Sequence, residues 1–200
     1  MSGCGKSTLG AALAASMGVP FVDADELHPQ SNIDKMSHGV PLTDEDRAPW
    51  LTIVRTTAER ICTEECEHLT HSELTQCNKK GVVVGCSALK RAYRAVLRGE
   101  THILPTSPDH PQASPDSLTS SNSAAMLTFF VFIEGSRSDL LARMESRQGH
   151  FMKADMLDSQ LKTLENPVGE NGVVKVDLED STEEQVIRVR EGLRVWGLDV

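Results

Sequence analysis

The sequence opens Met1-Ser2-Gly3-Cys4-Gly5-Lys6-Ser7-Thr8 and runs straight into Leu9, Ala12, Leu13 and Met17 at helical spacing. Glycines at a helix start let consecutive backbone N–H groups turn inward around an anion, and the helix N-terminus adds a favourable field. Lysine followed by a hydroxyl residue extends that chemistry to a polyphosphate. Lys6 would bridge β- and γ-phosphates, and the Ser7 hydroxyl would sit on a magnesium ion. Gly3, Cys4, Gly5, Lys6, Ser7 and Thr8 are thus the candidate nucleotide-binding residues, with ATP and Mg2+ the implied cofactors. An ordinary helix start behind flexible glycines is the plainer alternative. Gly-x-Gly-Lys-Ser is the second half of a phosphate-binding loop (P-loop). The full pattern has a further glycine five positions before Gly5 and an apolar strand before that, and neither stands in this sequence. The expectation is a sheet without its first, inner strand, hence low stability and weak ATP binding. Prefixing an apolar strand of about six residues plus Gly-x should rescue both.

A second group of chemistry-bearing residues follows a short apolar run, Phe21-Val22-Asp23, with Asp25 two positions on. Acids at the end of a buried strand lie at the carboxyl edge of a sheet, where open α/β folds bind ligands. From an extended chain Asp23 and Asp25 would point the same way. Asp23 is then placed to hold magnesium through water, and Asp25 to orient or deprotonate an attacking hydroxyl. Two carboxylates capping a turn would look the same. Arg47, Lys90 and Arg94 supply local positive charge for an anionic substrate, and arginine suits bidentate recognition of a carboxylate. His28 and Asn32 can hydrogen-bond hydroxyls. Against this, Lys90, Arg91, Arg94 and Arg98 also fit a solvated basic helix face. Trp50, after Arg47-Ala48-Pro49, is expected to pack under a loop.

These residues stand in longer strings. One is Asp23-Ala24-Asp25, His28-Pro29, Asn32, Lys35-Met36, Gly39, Pro41-Leu42, Asp44, Asp46-Arg47 and Pro49-Trp50-Leu51. Another is Cys86-Ser87-Ala88-Leu89-Lys90 with Tyr93-Arg94 and Leu97-Arg98, followed by Arg143, Arg147 and Gly149-His150-Phe151. In this order they resemble the gluconokinase family, P-loop kinases of sugar acids related to shikimate kinases. The resemblance runs from Ser2 to about Pro167. It implies a three-layer P-loop kinase fold, ATP-dependent phosphorylation of D-gluconate to 6-phospho-D-gluconate, and a small-molecule sugar acid as partner. By resemblance to nucleotide-type kinases, Arg143 would lie against adenine. Arg147 would enter with a lid near 147–156 and act catalytically alongside Lys6 and Asp25. A salt-bridged surface helix with Asp139 and Glu145 is the alternative for the two arginines. Other acceptors (shikimate or a nucleotide) and an impaired binding or regulatory form are the competing functions. Related kinases are often homodimers, but no seam in the sequence marks an interface.

The elements that must position these groups alternate. Helices are expected over 7–17, 43–63, 88–98, 136–148, 156–164 and 182–195, with Thr43 capping the second. Apolar runs at 21–23, 81–86, 126–133 and 173–176 read as buried strands. The order predicts an α/β domain spanning 1–200, its parallel sheet flanked by helices on both faces. Two polar insertions, 63–80 and 104–124, interrupt it. The second carries four prolines and six serines between 105 and 123 and no apolar periodicity, so it should stay mobile on the surface.

A net charge of −9 excludes broad electrostatic attraction to nucleic acid or an anionic membrane. No run approaches the apolar length of a membrane span and no signal peptide is visible, which suggests a cytoplasmic protein. Aromatic residues are only 4%, so the core must be largely aliphatic. Five cysteines without an export signal argue against a disulfide framework. Cys62, Cys66, His68, His71 and Cys77 cluster, but their spacing fits no common zinc pattern, and reduced thiols are the expected state.

Overall fold

The structure, a computed structural model, describes residues 3–67, 81–100, 126–145 and 154–198. Helix α1 (Lys6–Met17) leads to β1 (Phe21–Asp23), a 3-10 helix (Ala24–Leu27), α2 (Gln30–Ser37) and α3 (Asp44–Glu67). Strand β2 (Val83–Gly85) is followed by α4 (Arg91–Arg98), and β3 (Phe130–Glu134) by α5 (Arg137–Glu145) and α6 (Ala154–Thr163). Strand β4 (Val173–Asp177) and α7 (Thr182–Val195) close the order. Residues 68–80 and 101–125, most of both polar insertions, lie outside the described residues, as do residues 146–153 of the expected lid.

The strands are parallel, as expected, and helices flank them. β1 pairs with β2, bringing Asp23 opposite Gly85, and β3 pairs with β4 from Phe130↔Val173 to Glu134↔Asp177. The parallel sheet falls into two two-stranded parts, the gap expected of a sheet without its inner strand: β2 and β3 exchange no ladder hydrogen bonds and no described strand lies between them. Helices and core join the two pairs. α1 packs on β1, β2 and α7, while α7 also packs on β4. One apolar cluster takes in Leu9 and Leu13 of α1, Val54 of α3, Ile133 of β3, Val176 of β4 and Val189 of α7. It is mainly aliphatic, with Trp50 and Tyr93 the aromatic members among its buried residues.

Local chemistry explains the element starts. Thr43 Oγ1 accepts from the Asp46 N–H (3.4 Å) while Asp46 Oδ2 accepts from the Thr43 N–H (2.9 Å), a reciprocal cap that opens α3 as expected. Ser181 and Glu184 form the same box at α7. The helix expected from 88 begins later, at Arg91, with the extended Lys90 in the N-cap position and the Leu89 N–H turned onto the Ser87 carbonyl (2.9 Å). No helical expectation covered residues 24–37, where the short 3-10 helix and α2 lie. Neither is long enough to show a periodic apolar stripe.

Helix and strand meet most closely at Gly10 of α1. A Cβ there would stand 2.4 Å from the Phe21 ring, well inside contact distance. Gly10→Ala is therefore expected to destabilise the fold by about 1–3 kcal/mol, although alanine is the better helix former. A lower urea midpoint with an unchanged slope would show this. A raised midpoint would mean that Phe21 moves aside without strain.

Candidate active site

The glycine loop is shaped by two left-handed residues, Gly3 (φ 78°) and Gly5 (φ 88°). A side chain at Gly3 would also strike Met144 of α5 at 2.5 Å, so this position is confined from both sides. Gly5 is the N-cap of α1, no side chain caps that end, and its first turn carries no acid. With no acid in the first turn, the field of the helix start favours an anion there. Ser7 and Thr8 are exposed at this end, whereas the Cys4 side chain is buried in the core. Any contribution of Cys4 to a phosphate therefore comes from its backbone.

Ser7 Oγ donates to Asp23 Oδ2 at 2.7 Å, joining the helix start to the end of β1. Asp23 Oδ1 accepts from the Asp25 N–H at 3.1 Å and caps the 3-10 helix. Asp23 thus caps a turn and also touches the P-loop serine. Asp25 departs from expectation: the chain turns into the 3-10 helix after Asp23, so the two acids do not project from one extended face. Asp25 is exposed, and its charge acts on His28 and on the Cys86 thiol.

Cys86 marks where the charged groups converge. Burial first, then Asp25, push its thiol up to about 12 against the opposing effect of Lys6 and Arg47, so the thiol is neutral. The base of the Trp50 indole is fixed by its N–H on the Ala24 carbonyl (2.8 Å), and His28 stacks on its face at 4.2 Å. Trp50 is fully buried, as its sequence context suggested. Burial lowers the His28 pKa, against the opposing effect of Asp25, so the imidazole is neutral near pH 7.

Arg47 stands 5.9 Å from the centre of the Tyr93 ring, and its Nε is buried with no hydrogen-bond partner among the described residues. Lys90 Nζ holds both oxygens of Asp44, at 2.8 and 2.7 Å, and the Tyr93 hydroxyl donates to the same carboxylate. Those two hydrogen bonds, Lys90 first, hold Asp44 below the usual carboxylate range. Burial, then Asp44, keeps the Tyr93 phenol well above its ordinary value and protonated. Asp44 and Tyr93 were not recognised as site residues from sequence. Asp44 reads as a helix-dipole acid, and its partners are 46 and 49 positions away.

Two sequence candidates are placed elsewhere. Arg94 is almost wholly buried, with Nε and Nη2 on Glu170 (3.0 and 2.5 Å) and further donations to the carbonyls of Ala88, Leu89 and Glu165. With its donors committed to the 165–170 loop, Arg94 does not reach a substrate. Asn32 is also buried, its amide nitrogen 3.2 Å from His28 Nδ1 and 2.9 Å from the Asp46 carbonyl oxygen. It faces its neighbours rather than an acceptor's hydroxyls. Arg143 donates to the Leu178 carbonyl and lines a cavity of about 410 Å³ with Gly3, Gly5, Thr8, Ser181 and Gln185. That cavity opens beside the phosphate cradle, where a nucleotide's base end would lie. Arg147, Gly149, His150 and Phe151 lie outside the described residues, as do His68, His71, Cys77 and the side chain of Cys66.

An anion cradle whose Lys6 acts with Asp25 and Arg47 on Cys86, and whose Arg47 shares the Tyr93 ring with Lys90, suits a polyphosphate beside a small anionic acceptor, the construction of a P-loop small-molecule kinase. The family model for shikimate kinase matches residues 2–84, the stretch from the glycine loop to β2. A gluconokinase of Gluconobacter oxydans is 38% identical over 193 residues, 94% of this chain and 86% of its own. A probable gluconokinase of Xenopus tropicalis is 40% identical over 182 residues, 90% of this chain and 82% of its own. The crystal structure of a gluconokinase from Sinorhizobium meliloti 1021 superposes with a TM-score of 0.68 at 38% identity, covering 99% of this chain and 94% of that one. The chain belongs to the gluconokinase family. It is accordingly an ATP-using phosphotransferase with an alcohol group as acceptor. No described helix is long and apolar enough to cross a membrane.

Proposed function

We propose that this chain transfers the γ-phosphoryl group of ATP to D-gluconate, giving 6-phospho-D-gluconate. The observation that carries the acceptor class is the buried Nε of Arg47, without a partner among the described residues, on a side chain whose charge acts on Cys86 together with Asp25 and Lys6. A buried donor without a partner is rare, and a carboxylate is its natural complement. Lys90 lies 5.7 Å from the Tyr93 ring that Arg47 also faces, and adds a second cation.

The N–H groups of residues 3–8 and the Lys6 ammonium hold the phosphates. Arg143 forms the wall against the base. Asp25 accepts the hydroxyl proton or orients that hydroxyl for in-line attack, and His28 donates to another hydroxyl of the acceptor. Phosphoryl transfer asks mainly for positioning and charge stabilisation, which these groups supply. Ser7 and Asp23 present a hydroxyl and a carboxylate side by side, hard oxygen donors of the kind that magnesium takes beside phosphate and water. Magnesium bound there neutralises charge on the β- and γ-phosphates. Arg147 is assigned to the transferring phosphoryl by family resemblance.

Shikimate-type acceptors are the second reading, favoured by the shikimate-kinase match over residues 2–84 and by the same need for a carboxylate partner. Turnover with ATP across sugar acids, shikimate and nucleoside monophosphates separates the two. The highest kcat/KM is expected with D-gluconate; a better acceptor from another class would overturn the assignment.

A further inference from the structure

We propose that Asn32 is a positioning residue that holds His28 as a neutral imidazole with its proton on Nε2, so that His28 meets the acceptor as a hydrogen-bond donor. This rests on the cleft being the acceptor site. The Asp46 carbonyl can only accept. It lies 2.9 Å from Asn32 Nδ2, so the amide nitrogen, not its oxygen, must face it. The second hydrogen of that nitrogen is then available to His28 Nδ1 at 3.2 Å. Nδ1 accepts it only as a bare lone pair. A proton on Nδ1 would oppose two donors, so the ring's one proton belongs on Nε2.

One other contact helps to fix this orientation. Stacking on Trp50, 12° from parallel, fixes the plane of the ring but would tolerate a half-turn within that plane. Asn32 breaks the tie by binding one edge. The charges acting on the ring are Asp25, which favours the imidazolium, and Arg47, which disfavours it. The Asp46 carboxylate on α3 is engaged by Lys35 and Thr43. Asn32 also ties α2 to the first turn of α3, the turn that carries Asp44 and Arg47. Its single amide therefore sets the proton on His28 and the position of the neighbouring cation together.

The test combines 15N NMR of the imidazole with kinetics at several pH values. In the unmodified protein at pH 7, the His28 nitrogens should show the Nε2–H tautomer. Gluconate KM should lack an imidazole titration between about pH 6.5 and 8.5. Asn32→Asp replaces the donor with an acceptor, which favours Nδ1–H or the imidazolium and raises the His28 pKa. Gluconate KM should then climb about 10-fold as pH rises through that pKa, because the neutral ring presents a bare Nε2. ATP KM should stay within about twofold. An Nδ1–H or charged ring in the unmodified protein overturns the proposal without any variant. So does a switched tautomer in Asn32→Asp with no change in gluconate KM. Failure of gluconate as a substrate would leave the NMR result intact and count against the functional reading alone.

Discussion

Asp25→Asn is expected to lower kcat by about 10²- to 10⁴-fold, the usual contribution of a positioned proton acceptor. KM for ATP and the melting temperature should hardly move. Asparagine keeps the shape but cannot take the hydroxyl proton, and Asp25 is exposed, with no side-chain hydrogen bond among the described residues to lose. Capping of the 3-10 helix falls to Asp23, whose Oδ1 receives the Asp25 N–H. The structural duty and the chemical duty therefore belong to different acids. A loss confined to kcat and kcat/KM would mark an interaction made in the transition state. A loss of stability with kcat retained would return Asp25 to the role of a turn residue.

Arg94→Ala should instead destabilise the protein by about 3–5 kcal/mol, because it leaves Glu170 charged and nearly buried without its principal partner. The sequence left Arg94 either at the substrate or on a solvated basic helix face, with the Cys86–Lys90 string favouring the substrate. The structure turns it inward, its side chain 2% exposed against 9% for Glu170. The guanidinium staples the 165–170 loop to the start of α4, where the Arg91 N–H also meets Glu165 (2.6 Å). Chemical denaturation should show a lower midpoint in the variant, and gluconate KM of the folded fraction should change little. The pair also has a pH signature. Arg94 first, with Arg91 and Arg98 adding to it, holds Glu170 below its ordinary value of 4.5. Stabilisation from a depressed carboxyl is complete above the unfolded-state value and is lost as pH falls through the folded one. The acid limb of stability below about pH 4.5 should therefore flatten in Glu170→Gln. An unchanged midpoint in Arg94→Ala, with a large rise in gluconate KM, would restore the substrate-binding role.

The contrast between these two residues shows what the sequence can convey. The glycine loop and Asp23 were legible because their chemistry is local: a P-loop is written in consecutive residues, and an acid at the end of an apolar strand has one edge to occupy. The parallel pairing followed from strands separated by helices. Arg94 was not legible, since Glu170 is 76 positions away and nothing in an Arg-x-x-x-Arg helix face says which side is buried. Asn32 failed for the same reason: its partner at Asp46 lies across a turn between two helices. The extended path assumed for Asp23 to Asp25 failed because a four-residue 3-10 helix is too short to leave a period.

Transfer of phosphate from ATP to a hydroxyl of gluconate can be followed by 31P NMR of the purified chain with ATP, magnesium and D-gluconate. A phosphomonoester resonance coupled to the two protons of one methylene carbon, an apparent triplet, should grow as the γ-phosphate signal falls, as a primary ester at C6 requires. A doublet from a secondary ester, or growth of inorganic phosphate alone, would rule out transfer to C6.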